Sequence, residues 1–284
     1  MFENPVDYIR THLSEMFTLG EIRAFTTLIL KEVSNLSFSD IVSCKFNDLS
    51  DNEKQNIISI VKRLQNNEPI QYILGKTEFY GLDFKVSPSV LIPRPETEEL
   101  IEWILSETTK KDPYILDIGT GSGCIAITLA KKMQYATVYA WDISDNALEV
   151  ANENAIINDV SVKFSMVDVL KPLSFNYKFD IIVSNPPYIK ESEKEKMEKN
   201  VLDFEPHEAL FVANHDALIF YNRIADIAKK QLQENGLLYF EINHSKGDEV
   251  VHLLKEKGFV NIELKKDISG NNRMIRAMNS YTHK

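Results

Sequence analysis

The sequence has little cysteine, no excess of positive charge and no long apolar run, and each shortage closes off a class of protein. Its two cysteines, Cys44 and Cys124, lie far apart. They make neither a disulfide framework nor a metal-ligand spacing, so a reducing compartment and no structural metal are expected. No uncharged apolar run approaches the roughly 20 residues of a membrane helix. The start, Met1-Phe2-Glu3-Asn4-Pro5, lacks the basic and apolar segments of a signal peptide. A cytoplasmic protein without membrane association is therefore expected. The 32 Lys/Arg are outnumbered by 42 Asp/Glu, for a formal net charge of −10. The first 95 residues hold ten of the cations and twelve of the anions, so most of the excess negative charge lies beyond them. No basic arm or stripe stands out, and a protein gripping nucleic acid through phosphates usually has one. Stable nucleic-acid binding is not expected. Glycine is sparse too, ten in all, yet Gly119, Gly121 and Gly123 fall within five residues.

What is present is enough for a sizeable core. At 284 residues and 44% hydrophobic content, the prior is one large domain or two smaller ones. Residues 1–67 read as a small helical domain. Ile22, Phe25, Leu28 and Ile29 are placed on one helical face. Ser50 and Glu53 have capping-box spacing ahead of an apolar stripe at Ile57, Ile58, Val61 and Leu64. Residues 68–95 carry turn signals at Gly75, Gly81 and Pro88 between short β-prone pieces, which predicts a hairpin connector. Residues 96–284 form the third region. There the pattern alternates, with strands near 114–118, 136–141, 162–167, 179–184, 236–241, 259–265 and 272–278. Helices are expected near 96–108, 123–133, 144–157, 216–234 and 246–257. Alternation of this kind predicts an α/β fold with a seven-stranded, mostly parallel sheet covered on both faces. The gap between the last two strands is too short for a crossover helix, so the last strand should be antiparallel.

One stretch organises the rest. Phe179-Asp180-Ile181-Ile182-Val183-Ser184 reads as a buried strand, and Asn185-Pro186-Pro187-Tyr188 ends it, because two prolines remove two ladder donors. Ligands bind at that carboxyl end in open α/β sheets. The Asn185 side-chain carbonyl and the Pro186 backbone carbonyl can accept both hydrogens of a planar –NH₂ group, and Tyr188 offers it a flat face. The site suits an amide or an aromatic amine. A plain Pro-rich turn is the competing reading of the tetrad taken alone.

A second constellation points to a ribose-bearing ligand. Ile115 to Ile118 runs into Gly119-Thr120-Gly121-Ser122-Gly123 and then a helix. Glycine lets backbone approach a ligand there, and the helix N-terminus supplies free N–H groups. A dinucleotide fingerprint would want glycine at position 124, where Cys124 stands. The next strand ends at Asp142, where a carboxylate accepts from ribose hydroxyls. The strand after it ends at Asp168, placed to meet an adenine edge. A nicotinamide cofactor and S-adenosyl-L-methionine (SAM) both remain open at this point.

Together, the Gly119–Gly123 loop, Asp142 and Asn185–Tyr188 resemble Class I SAM-dependent methyltransferases. More narrowly, Leu91-Ile92-Pro93-Arg94-Pro95-Glu96-Thr97-Glu98, Glu68 to Gly75 and Phe204-Glu205-Pro206 resemble the bacterial peptide chain release factor glutamine N5-methyltransferases. The resemblance spans nearly the whole chain. It implies that Gly119, Thr120, Gly121, Ser122 and Gly123 wrap the methionine part of SAM, Asp142 binds the ribose, and Asp168 and Val169 flank the adenine. It implies that Asn185, Pro186, Pro187 and Tyr188 hold a glutamine amide, with Asn185 also near the methionine end. Catalysis would fall to Asn185, Pro186 and Tyr188, and Leu91 and Arg94 would line the rim. The methyl acceptor would be the glutamine of the Gly-Gly-Gln motif in class 1 release factors, and S-adenosyl-L-homocysteine the co-product of a monomeric enzyme. Adenine-N6 and guanine-N2 methyltransferases share the tetrad, so a nucleic-acid amine methyltransferase is the alternative. Val169 stands where many relatives have an aromatic residue, and after Glu241 a glycine is expected near Asn243 and a glutamine near Lys246. No histidine is nominated as a base, because a methylated amide is acidic enough to lose its proton to water.

Overall fold

The structure, a computed structural model, describes residues 2–34, 40–41, 49–173, 177–214 and 216–280. The chain divides into two compact units, residues 1–75 with 198–204, and residues 76–197 with 205–284.

The first unit is helical. Helix α1 (Pro5–Leu13) starts where Asn4 accepts from the N–H groups of Val6 and Asp7 and Pro5 occupies the first turn. Helices α2 (Leu19–Ser34) and α3 (Asp51–Gln65) follow, and α3 opens with the Ser50–Glu53 capping box in both directions. Ile9, Leu13, Ile29, Leu30, Ile57 and Val61 are fully buried in its core. Leu28 does not share that face. The buried positions of α2 are Ile22, Thr26, Ile29 and Leu30, and a residue two steps after Thr26 turns about 200° away from it, which leaves Leu28 in solvent. The Glu68–Gly75 stretch becomes the short helix α4 (Ile70–Leu74), closed by Gly75 at φ +72°. Arg63 pairs with Glu68 and also donates to the Ile73 carbonyl, fixing this stretch to the end of α3.

The second unit begins with a hairpin of β1 (Lys76–Phe79) and β2 (Leu82–Lys85). Tyr80 and Gly81 both have positive φ, the requirement of a tight two-residue hairpin turn. Helix α5 (Pro95–Glu107) leads into β3 (Tyr114–Ile118), α6 (Cys124–Lys132), β4 (Thr137–Asp142), α7 (Asp145–Ile157), β5 (Lys163–Met166) and β6 (Phe179–Ser184). Two-residue strands β7 (Ile189–Lys190) and β8 (Phe211–Val212) pair with each other. Helix α8 (Ile219–Gln231), β9 (Leu232–Glu241), α9 (Gly247–Glu256), β10 (Phe259–Lys266) and β11 (Asn272–Asn279) complete the unit.

The seven-stranded sheet has the order β10-β11-β9-β6-β3-β4-β5. Strand β11 runs antiparallel to both β10 and β9, as the short gap before it requires, and the remaining neighbours are parallel. The alternating side chains of β3 and β6 feed two cores. Leu116, Ile118, Phe179 and Ile182 pack with Tyr221, Ile224 and Ala228 of α8 and Val250 and Leu254 of α9. Ile115, Ile181 and Val183 pack with Leu100 and Ile104 of α5 and Ile127 and Leu129 of α6. Each fully buried aliphatic side chain is worth roughly 1.5–3 kcal/mol. All seven strands form near their expected positions. Helix α8 is shorter than the expected 216–234, because β9 begins at Leu232 and carries an irregularity that lets Gly236 approach the Asp180 carbonyl.

Candidate active site

The chain passes from β3 outward to β4 and β5, then returns to the other side of β3 with β6. Carboxyl ends of strands that diverge in this way leave a crevice. A cavity of about 700 Å³ opens there, within the size range of small-molecule sites. The register sets Ile118 beside both Trp141 and Ser184, so Gly119, Asp142 and Asn185 leave the sheet at one level.

The glycine loop is held by backbone hydrogen bonds, two of them to the neighbouring strand β4. Gly119 and Thr120 donate to the Trp141 carbonyl at 2.8 and 3.0 Å, and Gly123 donates to that of Thr120. Gly119, Gly121 and Gly123 all have positive φ, but for different surroundings. A Cβ at Gly119 or Gly121 would meet nothing within 4 Å, so both leave room in a cradle. A Cβ at Gly123 would lie 2.8 Å from Cδ1 of Ile127 and 3.2 Å from Cβ of Ala151, so this glycine serves helix packing. Beneath the loop, the Thr120 hydroxyl donates to Asp117 at 2.6 Å, and full burial pushes the Asp117 carboxyl up to about 7. Asn154 of α7, completely buried, braces the loop from outside: its amide donates to the Ser122 and Lys85 carbonyls at 2.9 Å and accepts from Lys85 N–H at 2.6 Å. The hairpin and the loop are thereby tied to one helix.

Asp142 accepts from Gly121 N–H at 2.8 Å and from Ser144 N–H at 3.0 Å. Burial raises its carboxyl above the ordinary value, these backbone bonds oppose that, and the Glu208 charge adds to the rise. Each carboxylate oxygen keeps a further lone pair for a ligand. Asp168 accepts from Leu170 N–H at 3.0 Å and pairs with Lys171, and Val169 lines the same wall.

Asn185, Pro186 and Pro187 line the opposite wall, and Tyr188 lies just past it beside a second, smaller cavity. Ser184 anchors the strand end by donating to the Ile118 carbonyl at 2.6 Å. Leu91 and Arg94 stand on the rim. Arg94 pairs at 2.5 Å with Glu205, whose side chain is buried and whose carboxyl is raised by burial against the pull of that guanidinium. Thr97, on the first turn of α5, donates to Glu241 at 2.6 Å. Glu241 follows the last residue that β9 pairs with β6, and full burial pushes its carboxyl up to about 7.

The crevice brings together the sequence-predicted site residues except Gly123, which packs against Ile127 and Ala151 instead, and Tyr188, which lines the smaller cavity. Sequence reasoning missed Ile143, Val90, His207 and Glu208 on the cavity wall, and the roles of Glu205 and Glu241 as buried partners. Ile143 carried a signal, an apolar residue following a strand-end aspartate. His207 and Glu208 sit in a segment whose path depends on the β7–β8 pair, too short to read from periodicity. The residues present fit a cationic sulfonium bearing a nucleoside, because three carboxylates, Asp142, Asp168 and Glu208, line a cradle left open by glycine.

A seven-stranded sheet of this order, with a glycine loop after its first strand and Asn-Pro-Pro-Tyr after its fourth, defines a Class I SAM-dependent methyltransferase. The "Methyltransferase small domain" family model matches residues 97–204, and the "PrmC N-terminal domain" model matches residues 19–75. A solved methyltransferase from Pyrococcus furiosus has the same fold, with a TM-score of 0.52 at 17% identity over 82% of this chain and 100% of that one. The release factor glutamine methyltransferase of Flavobacterium psychrophilum is 48% identical over 93% of this chain and 94% of its own. That of Bacteroides thetaiotaomicron is 44% identical over 95% and 97%. The chain belongs to the release factor glutamine methyltransferase family.

Proposed function

We propose that this chain transfers the methyl group of SAM to the side-chain amide nitrogen of the glutamine in the Gly-Gly-Gln motif of class 1 release factors. The observation that carries the reading is the pairing, across one cavity, of a glycine cradle ending at Asp142 with Asn185 and Pro186. When bound, SAM supplies an electrophilic methyl on a sulfonium. Gly119 to Gly123 would hold its methionine part, Asp142 its ribose, and Asp168 and Val169 its adenine.

The chain's own task is to make a poor nucleophile competent. An amide nitrogen has its lone pair delocalised into the carbonyl. The Asn185 side-chain oxygen and the Pro186 carbonyl accept its two hydrogens, favour pyramidalisation and aim the lone pair at the methyl. Tyr188 keeps the amide plane. Positioning of this kind is worth up to roughly 7–11 kcal/mol. The proton on the methylated nitrogen leaves to water, so no histidine is assigned as base. Residues 1–67 serve as docking domain for the factor, 68–95 as connector and 96–284 as the transferase, in a monomer of the cytoplasm. Family membership does not favour the nucleic-acid amine alternative.

Mass spectrometry of a purified release factor after incubation with enzyme and SAM tests this. The expected result is the mass of one added CH₂ on the Gly-Gly-Gln glutamine. Labelled methyl on RNA or DNA with the factor unmodified overturns it.

A further inference from the structure

The tetrad divides between two cavities. Asn185, Pro186 and Pro187 line the large one, whereas Tyr188 lines another of about 260 Å³ with Glu193, Met197, Asn243, His244 and Arg273. Asn243 is only 6% exposed. Its Oδ1 is occupied, accepting from the N–H and hydroxyl of Ser245 at 3.0 and 2.9 Å. Its side-chain nitrogen has no partner among the described residues, although it belongs to a residue that lines the cavity. Arg273 spends its Nε on Asp267 at 3.1 Å, which leaves its two terminal nitrogens without a partner among the described residues. The Tyr188 hydroxyl is in the same state.

The cavity therefore offers several hydrogen-bond donors. Its charge is nearly balanced, since the buried Asp267 offsets Arg273 and the carboxylate of Glu193 also lines the wall. Donors with little net charge select a neutral acceptor, a peptide carbonyl, over a carboxylate or phosphate. A glutamine held by Asn185 and Pro186 brings its own backbone along, within reach of its two methylene groups. Tyr188, the last residue of the tetrad, forms part of the wall of this second cavity.

We propose that the second cavity binds a main-chain carbonyl of the substrate polypeptide next to the methyl-accepting glutamine, with Asn243 and Arg273 as the donors. This rests on the reading of the site as a polypeptide amide methyltransferase.

The test is steady-state kinetics with the whole enzyme, an intact release factor and SAM. Asn243→Asp keeps the oxygen that caps Ser245 and turns the donor into an acceptor. KM for the factor should rise at least about fivefold, with kcat and KM for SAM within about twofold of wild type. Met197→Trp fills the cavity from its wall without touching a donor, and the same rise is expected, so the test survives if the first variant does not fold. A KM for the factor within about twofold of wild type in the variants that fold, while the wild type methylates the factor, overturns the subsite alone. A fall in kcat with KM unchanged also overturns it, since that marks a role in orienting the amide. A wild type that methylates no release factor overturns the parent reading and the subsite with it.

Discussion

The two walls of the cavity are built on opposite plans. The backbone of the glycine loop is tied down by hydrogen bonds: Gly119, Thr120 and Gly123 donate to backbone carbonyls, Gly121 to Asp142, the Thr120 hydroxyl to Asp117, and Asn154 donates to the Ser122 carbonyl. The tetrad wall is the reverse. Neither Asn185 nor Tyr188 has a hydrogen-bond partner among the described residues, and Pro186 and Pro187 have no N–H to offer. A wall whose backbone is tied down in this way holds a fixed shape, with the remaining lone pairs of Asp142 left for a ligand. An unsaturated wall selects by hydrogen bonding, since it leaves polar groups to be satisfied by whatever enters. One side is a mould for a ligand of fixed form, and the other reads and orients a reacting group.

The sharpest way to break this contrast is to remove one polar side chain from each wall. Asn185→Ala should reduce the single-turnover rate of methyl transfer by about a hundredfold to a thousandfold, the cost of losing one preorganised polar contact at a reacting centre. SAM affinity should change far less. Asp142→Ala should do the opposite, weakening SAM binding by about tenfold to a hundredfold through loss of a charged acceptor. Its rate at saturating SAM should stay closer to wild type. Calorimetry and rapid-quench measurements on both variants decide the matter, and two variants with the same balance of binding and rate would erase the distinction.

Within the mould itself, Gly119 and Gly123 share a positive φ but differ in what surrounds them. Alanine at either is strained by about 1 kcal/mol. At Gly123 the added methyl also presses on Ile127 and Ala151, and such overpacking costs typically about 1–3 kcal/mol more. Gly123→Ala should therefore show the larger drop in melting temperature. Gly119→Ala should keep most of its stability and lose SAM affinity instead, since its methyl projects into the cradle.

Much of this was legible in the sequence because it is written in short-range patterns. The seven strands follow from apolar runs bounded by turn residues, and the Gly119–Gly123 loop, Asp142 and Asn185–Tyr188 fall at strand ends. What was not legible depends on distant partners. Arg94 meets Glu205, Thr97 meets Glu241, and Asn154 reaches both Lys85 and Ser122, pairings that no spacing along the chain encodes. The same holds for His207 and Glu208 on the cavity wall. Leu28 failed for a different reason, since a few apolar residues in one window fit more than one helical stripe and only the packed core selects among them.

The smallest expected effect tests the feature the two walls share. Each rests on a buried carboxyl held up near 7, Asp117 beneath the glycine loop and Glu241 beside the tetrad, and in both cases burial is the main cause. Thr97 donates to Glu241, and the Arg273 and Arg94 charges also favour its ionised form, but they do not outweigh desolvation. An acid whose folded pKa is raised contributes stability that is complete below its unfolded value. That contribution is lost as pH rises through the folded value. For Glu241 the window runs from about 4.5 to about 7. Glu241→Gln removes the ionisation and keeps an oxygen to accept from Thr97, so the variant should not share this loss. Other carboxyls, such as Glu107 and Asp267, are shifted downward and lose stability toward low pH, but they are common to both proteins and cancel in the difference. The melting temperature of the variant minus that of wild type should therefore grow more positive between pH 5 and pH 8. A difference that stays flat across that window would mean that Glu241 is ionised in the folded protein well below neutrality, with Arg94, Arg273 and Thr97 sufficient to hold its charge.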